Sequence, residues 1–228
     1  MRVLVVDTAL GLCSAGVFAV DAGVARALGL RSEAMTKGHQ ERLAGLARDA
    51  VAEAGGPGAG GFAGLDRIGV TVGPGSFTGL RVGLAFAQGL GAALSLPVVG
   101  VSTLDGLAAS VGGEGPTAAL IDARRGQVYA RFWRDGVAQG PAEALSIEAA
   151  KARVRGLGPG VRLAGSGAGL IAEDAAATEL DGPSPEALAR LAAAADPAAG
   201  PPRPLYLRAP DATPPSRLPG QPRPVPCV

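Results

Sequence analysis

Residues Arg2 to Val6 form an apolar run, closed by Asp7, that does not alternate with polar positions, which predicts a strand covered on both faces. Cys13 to Val20 and Val24 to Leu30 predict two more strands, with turn chemistry at Asp21-Ala22-Gly23 between them. Strands joined by turns this short run antiparallel. The period then changes. From about Gly38 to Ala54 the residues Leu43, Leu46, Ala47, Ala50, Val51 and Ala54 recur at helical spacing, while Glu41, Arg42, Arg48, Asp49 and Glu53 lie off that stripe. Gly55 to Gly64 reads as a mobile glycine-rich loop. Ile68 to Val72 predicts a strand, broken by Gly73-Pro74-Gly75-Ser76. A helix follows from about Phe77 to Leu94 with Ser76 as its N-cap, and then a strand from Pro97 to Val101.

The second half repeats this theme more weakly. Thr117 to Ile121 and Gln127 to Trp133 read as strands around Asp122-Ala123-Arg124-Arg125-Gly126. Ser146 caps a helix to Val154, Val161 to Ala164 is a strand leading to Gly165-Ser166-Gly167, and Ser184 to Ala194 is a helix. Beyond Asp211 the chain is proline-rich and reads as a disordered tail. A three-strand start, then helix, strand, helix, strand, and a second similar half argue for a duplicated α/β fold and against a simple doubly wound sheet. The expected division is residues 1–102, residues 103–210 and a tail at 211–228.

The helix from Phe77 stands out. Between Arg81 and Pro97 its polar side chains are Gln88 and Ser95, and Val82, Leu84, Phe86, Leu90 and Leu94 point around much of its circumference. A helix apolar all round needs cover on more than one side. Its sheet supplies one cover. The second is either a neighbouring helix of the same chain or an associating subunit, and Gly79, Gly83 and Gly89 would let a helix approach closely. The uncharged stretch from Val82 to Leu104 is long enough to span a bilayer, but Gln88, Ser95, Pro97 and its strand-like end argue against a membrane segment.

Composition narrows the classes. The chain has 228 residues, 47% of them hydrophobic and 18% charged, which is a folding composition. A net charge of +1 gives no strong electrostatic footprint for nucleic acid, so if RNA is involved, another subunit is expected to make most phosphate contacts. Cys13 and Cys227 show neither metal-knuckle nor disulfide spacing, which suits a reducing cytosol. The run before Asp7 is too short for a signal peptide.

Several residues could carry chemistry. Asp7 at a strand end could sit near metal-bound phosphate, and Thr8 could hydrogen-bond it, but Gly11 stands too far along for a phosphate-cradling hairpin. Gly73 to Gly79 leads into a helix N-terminus, which favours anions, but it lacks the lysine of a phosphate loop. His39 is the sole histidine, so a metal-holding His-x-x-x-His pair is excluded, and nothing beside it suggests a Ser-His-Asp triad. Asp122, Arg124 and Arg125 could reach a nucleotide or an acidic partner, or could form a solvated turn with Asp122 holding the backbone.

Five segments, in order along most of the chain, resemble one family. They are Leu4-Val5-Val6-Asp7-Thr8, His39-Gln40-Glu41-Arg42-Leu43, the eleven residues Gly73 to Gly83, Ile121 to Tyr129, and Pro204-Leu205-Tyr206-Leu207-Arg208. Together they resemble the TsaB (YeaZ) family. The resemblance implies an actin-like ATPase (ASKHA, ribonuclease H-like) α/β fold in two reduced subdomains. It implies a cytoplasmic, non-catalytic scaffold in the complex that adds a threonylcarbamoyl group to adenosine in tRNAs reading A-starting codons. The implied partners are the catalytic paralogue TsaD, the ATPase TsaE, a second copy of the chain when TsaD is absent, and tRNA only through the complex. No cofactor or metal of its own is implied, although ATP or ADP could sit at the TsaD junction. The implied pairing surface holds His39, Arg42, Leu43, Phe77, Thr78, Leu80, Arg81 and Leu84, and a vestigial nucleotide site would hold Asp7, Thr8, Gly75 and Gly165. Two departures weaken nucleotide binding: Ala9 stands where the family often has Ser, and Gly165-Ser166-Gly167 where it has Gly-Asp-Gly. Rival readings are a small actin-fold ATPase or kinase built on Asp7 and the Gly165 loop, and a glycoprotease-type peptidase, which the single histidine opposes.

Overall fold

The first strand, β1 (Arg2–Asp7), is the centre of a five-stranded sheet, and Val3, Leu4, Val5 and Val6 are buried on its two faces. The structure is a computed structural model and describes residues 1–55, 61–172 and 176–208. The expected tail at 211–228, with Cys227, lies outside the described residues, as do residues 56–60 of the expected glycine-rich loop. Antiparallel to β1 runs β2 (Leu12–Asp21), followed by β3 (Val24–Ala34), which continues past the expected end at Leu30. Their turn uses Ala22 at φ 46° and Gly23 at φ 78°, the left-handed pair that suits the twist of a two-residue hairpin. Helix α1 (His39–Ala54) crosses to β4 (Arg67–Gly73), parallel to β1, and α2 (Phe77–Leu94) crosses to β5 (Val98–Ser102), parallel to β4. The resulting order, β3-β2-β1-β4-β5, with a three-stranded antiparallel start and parallel crossovers after it, is the actin-like, ribonuclease H-like arrangement.

Alternation along β1 separates two cores. Leu4 and Val6 join Ala15, Val17, Ile68 and Val70 beneath Leu43 and Leu46 of α1 and Leu84 of α2. Val3, Val5, Phe18, Val99 and Val101 face the opposite way.

The linker α3 (Thr103–Val111) leads to β6 (Thr117–Arg124) and β7 (Gln127–Arg134), then β8 (Val137–Ala138), β9 (Glu143–Ser146) and α4 (Ile147–Leu157). After these come β10 (Arg162–Ala164), α5 (Ala168–Ile171), β11 (Ala176–Thr178) and α6 (Pro185–Ala194). The second sheet runs β11-β10-β6-β7-β8, with β9 pairing β7. Helices α4 and α5 cover one face, while Leu104 and Leu107 of α3 pack with Ala119 and Ile121 on the other.

Helix α6 leaves its own half and lies on the second face of the first sheet, where Leu188, Ala189 and Ala192 meet Val3, Val5 and Phe18. Gly69 permits that approach, because a Cβ there would stand 2.5 Å from the Ala192 Cβ. The buried Arg67 closes the helix end by donating to the carbonyls of Ala192 at 2.8 Å and Ala195 at 2.7 Å.

Candidate partner-binding face

The first turn of α2 is pressed onto the chain just beyond β1. Ser76 caps the helix, its Oγ accepting from Gly79 N at 3.2 Å, and Ser76 N donates to the Ala9 carbonyl at 2.7 Å. Thr8 Oγ1 donates to the Gly79 carbonyl at 2.7 Å. The glycines make this fit possible. A Cβ on Gly79 would lie 2.0 Å from the Thr8 carbonyl oxygen, one on Gly75 would lie 2.3 Å from that of Ala9, and one on Gly83 would lie 2.5 Å from Thr8 Oγ1. The sequence-based expectation that Gly79 and Gly83 admit a neighbouring helix is therefore corrected: they admit Thr8, just beyond the end of β1. Gly89 faces open space.

The expectation of an apolar surface all round α2 is corrected too. Leu80 and Leu84 are buried in the core and Val82, Phe86, Leu90 and Leu94 are half-buried, while Thr78, Arg81, Ala85, Gln88, Gly89, Ala92 and Ala93 face outward. The large aliphatic side chains, expected around much of the circumference, are gathered toward the core, and small and polar residues occupy the outer face.

Asp7 is fully buried. Its Oδ1 accepts from Thr71 Oγ1 at 2.7 Å and from Ala9 N at 2.9 Å, while Oδ2 has no partner. Burial pushes the carboxyl above its ordinary range, against the opposing pull of these hydrogen bonds and of the His39 charge. Gly182 stands over Oδ2, since a Cβ there would come within 3.3 Å of it. Gly165, at φ 105°, is fitted against the Leu120 carbonyl oxygen, 2.4 Å from where its Cβ would be. So Thr8, Gly75 and Gly165 each make close contact with the chain's own backbone, and Asp7 is enclosed within it. His39 is buried with Nε2 unpartnered, and among the described residues no group of three or more His, Cys, Asp or Glu could hold a metal.

Between α1 and α2 runs an open groove of about 530 Å³, lined by Leu43, Ala44, Phe77, Arg81, Val82 and Phe86 among others. Phe77 is 42% exposed. Arg81 stacks over its ring at 3.7 Å and donates to Tyr206 Oη at 3.1 Å, and the Phe77 and Tyr206 rings lie 5.2 Å apart. Tyr206 belongs to a strap, residues 201–208, that runs beside α2. Gln88 Nε2 donates to the Pro202 carbonyl at 2.8 Å and Leu205 N to the Val72 carbonyl at 2.7 Å. Of the residues expected on a pairing surface, Arg42, Phe77, Thr78 and Arg81 are exposed, whereas His39, Leu43, Leu80 and Leu84 are buried and hold the two helices to the core. Arg42 is tied to Glu33, whose carboxyl it holds below its usual range.

Comparison with known proteins gives the family. Residues 19–141 match the model described as TsaD: tRNA N6-adenosine threonylcarbamoyltransferase. An uncharacterized protein of Mycobacterium tuberculosis is 37% identical over 215 residues, covering 93% of this chain and 94% of that protein. The tRNA threonylcarbamoyladenosine biosynthesis protein TsaB of Escherichia coli is 34% identical over 139 residues, 59% of this chain and 56% of its own. The solved structure of YeaZ from Pseudomonas aeruginosa superposes with a TM-score of 0.72 at 29% identity, covering 90% of this chain and 99% of that one. The chain belongs to the TsaB (YeaZ) family.

The two departures from the TsaB pattern have definite structural roles here. Ala9 is fully buried and uses its carbonyl to anchor Ser76. Ser166 Oγ accepts from Asp122 N at 3.2 Å and so braces the β6–β7 hairpin. Sequence reasoning named Tyr206 only within a family motif, and Val82 and Phe86 only as part of an apolar helix surface that needs cover, not as walls of a groove. The Pro204 to Arg208 motif marked the family, but only the fold reveals that its tyrosine meets Phe77 and Arg81.

Proposed function

We propose that this chain is the non-catalytic scaffold subunit of the complex that threonylcarbamoylates adenosine in tRNAs reading A-starting codons. Its TsaB and YeaZ relatives support the broader statement, participation in tRNA threonylcarbamoyladenosine biosynthesis. The finer reading is pairing with the catalytic paralogue TsaD through the α1–α2 face, with recruitment of the ATPase TsaE to the pair and tRNA reached through the complex. The observation that carries it is the groove between α1 and α2, with exposed Phe77 and Arg81 beside small outward residues of α2. A groove with an aromatic and an arginine at its edge matches the anchor chemistry of protein interfaces. With TsaD absent, the same face pairs with a second copy of the chain.

A scaffold role is also supported by what occupies the strand end that a nucleotide would approach in an active actin-fold enzyme. Asp7 is enclosed, Thr8 bonds to α2, and the lone histidine offers no metal pair. Any ATP or ADP is assigned to the TsaD junction. The test is co-purification with TsaD. The substitution Phe77→Glu places a charge at the groove edge and is expected to abolish capture of TsaD while the variant stays folded. Undiminished capture would sink the assignment.

A further inference from the structure

The groove between α1 and α2 carries a charge at its edge, and that charge is unpaired. The groove walls are apolar, with Leu43, Val82 and Phe86 among them, and Arg81 is the charged residue of the lining. Arg81 is exposed, and its guanidinium lies over the Phe77 ring at 3.7 Å. Its Nε donates to Tyr206 Oη at 3.1 Å. Among the described residues, neither terminal nitrogen of Arg81 has a hydrogen-bond partner and no carboxylate forms an ion pair with it. Arg42 and Arg48 of α1 differ in this, being paired with Glu33 and Asp49.

A long arginine side chain in water samples many rotamers, and fixing it on binding costs entropy. Two contacts already restrict Arg81: the Phe77 ring against its guanidinium and the Tyr206 hydroxyl at its Nε. What stays open is the pair of terminal nitrogens, whose parallel N–H bonds match the two oxygens of a carboxylate. A partner that covers the groove also takes this guanidinium out of water. An apolar cover alone would leave a desolvated charge with no counter-charge, which is strongly unfavourable, so the cover must bring an anion to Arg81. Because the groove is apolar and runs between two helices, that anion fits best as a side chain on a protein segment whose other contacts are apolar.

We propose that the segment of TsaD seated in the α1–α2 groove carries an aspartate or glutamate whose carboxylate pairs with the terminal nitrogens of Arg81, and that Tyr206 of the strap is the positioning residue that sets Arg81 for it. The inference rests on the reading of this face as the TsaD-binding surface, and adds the chemistry that the partner presents there. It also gives the strap a part in recognition, because Tyr206 acts through Arg81 from a point 125 residues further along the chain.

The test is isothermal titration calorimetry of the full chain against TsaD, at low and high salt and without nucleotide. Arg81→Gln removes the charge at an exposed position, so its melting temperature is expected to hold. Its affinity for TsaD is expected to fall by about tenfold or more, and the salt dependence of binding to flatten. Tyr206→Phe keeps the ring beside Phe77 and removes the hydroxyl. It is expected to weaken binding by about threefold when Arg81 is present and to have no effect in the Arg81→Gln background, a coupling that a purely structural role would not produce. Arg81→Glu is expected to abolish binding, and replacing one acidic residue of TsaD by lysine to restore it. If Arg81→Gln binds as tightly as the unsubstituted chain while Phe77→Glu still abolishes capture, the carboxylate pairing is overturned and the α1–α2 reading stands. Undiminished capture by Phe77→Glu removes both. Equal losses from Tyr206→Phe in the two backgrounds overturn the positioning role. An Arg81→Gln effect that appears only with added ADP makes the anion a phosphate, and one confined to self-association makes the occupant a second copy; either overturns the proposal.

Discussion

Asp7 shows how a residue type suited to phosphate chemistry can be held by the fold instead. Its position at the end of β1 was legible from the apolar run that precedes it, because a run covered on both faces must stop where the first charge appears. Its surroundings were not legible, since Thr71 and Gly182 come from distant parts of the chain. A buried carboxyl with a raised pKa binds its proton more tightly folded than unfolded. The contribution of Asp7 to stability is therefore greatest at low pH and is lost as pH rises from the unfolded value of about 4 through the folded pKa. Asp7→Asn keeps an oxygen to accept from Thr71 and Ala9 while removing the charge. Its melting temperature should exceed that of the unsubstituted chain at neutral pH, and the gap should shrink as the pH is lowered toward about 4. Thermal melts across that range would read it, and a gap that stayed constant with pH would count against a carboxyl whose ionisation burial opposes.

At the scale of elements, local signals carried most of the first half. Ser76 followed by an uninterrupted helical stretch gave α2 its observed bounds, and the stripe beginning at Leu43 gave α1. The α3 helix was not anticipated, although Ser102 followed by Asp105 carries the capping signal, with Ser102 Oγ accepting from Asp105 N at 3.3 Å. It was obscured because the apolar residues of β5 run straight into it. Gly79 and Gly83 were legible as close-approach positions, though Gly89 was not one, and helical spacing cannot tell whether the approaching backbone is a helix or a strand end. That distinction is measurable. Gly79→Ala and Gly83→Ala force atoms onto Thr8 and should each cost about 1–3 kcal/mol, whereas Gly89→Ala enters open space and should add about 0.5–1 kcal/mol of stability. Chemical denaturation of the three variants would settle the order, and equal effects at Gly83 and Gly89 would contradict the packing described.

In the whole molecule the two sheets are linked by elements that the linear pattern does not assign to either. Helix α6 comes late in the chain yet covers the first sheet, and the strap at 201–208 joins α2 to the β6–β7 hairpin. An expected boundary near residue 102 follows the order of elements, and the packing of α6 across it depends on contacts far apart in sequence, which periodicity does not encode. The outcome is a molecule with a helix-lined groove on the first sheet and a closed strand end where a nucleotide would otherwise approach. That combination fits a subunit acting through its surfaces. The most direct test is reconstituted tRNA threonylcarbamoylation with purified TsaD, TsaE and the activated threonylcarbamoyl donor, with and without this chain. Modification should require the chain, and the chain alone should modify nothing. Undiminished modification in its absence, or turnover by the isolated chain, would contradict the account.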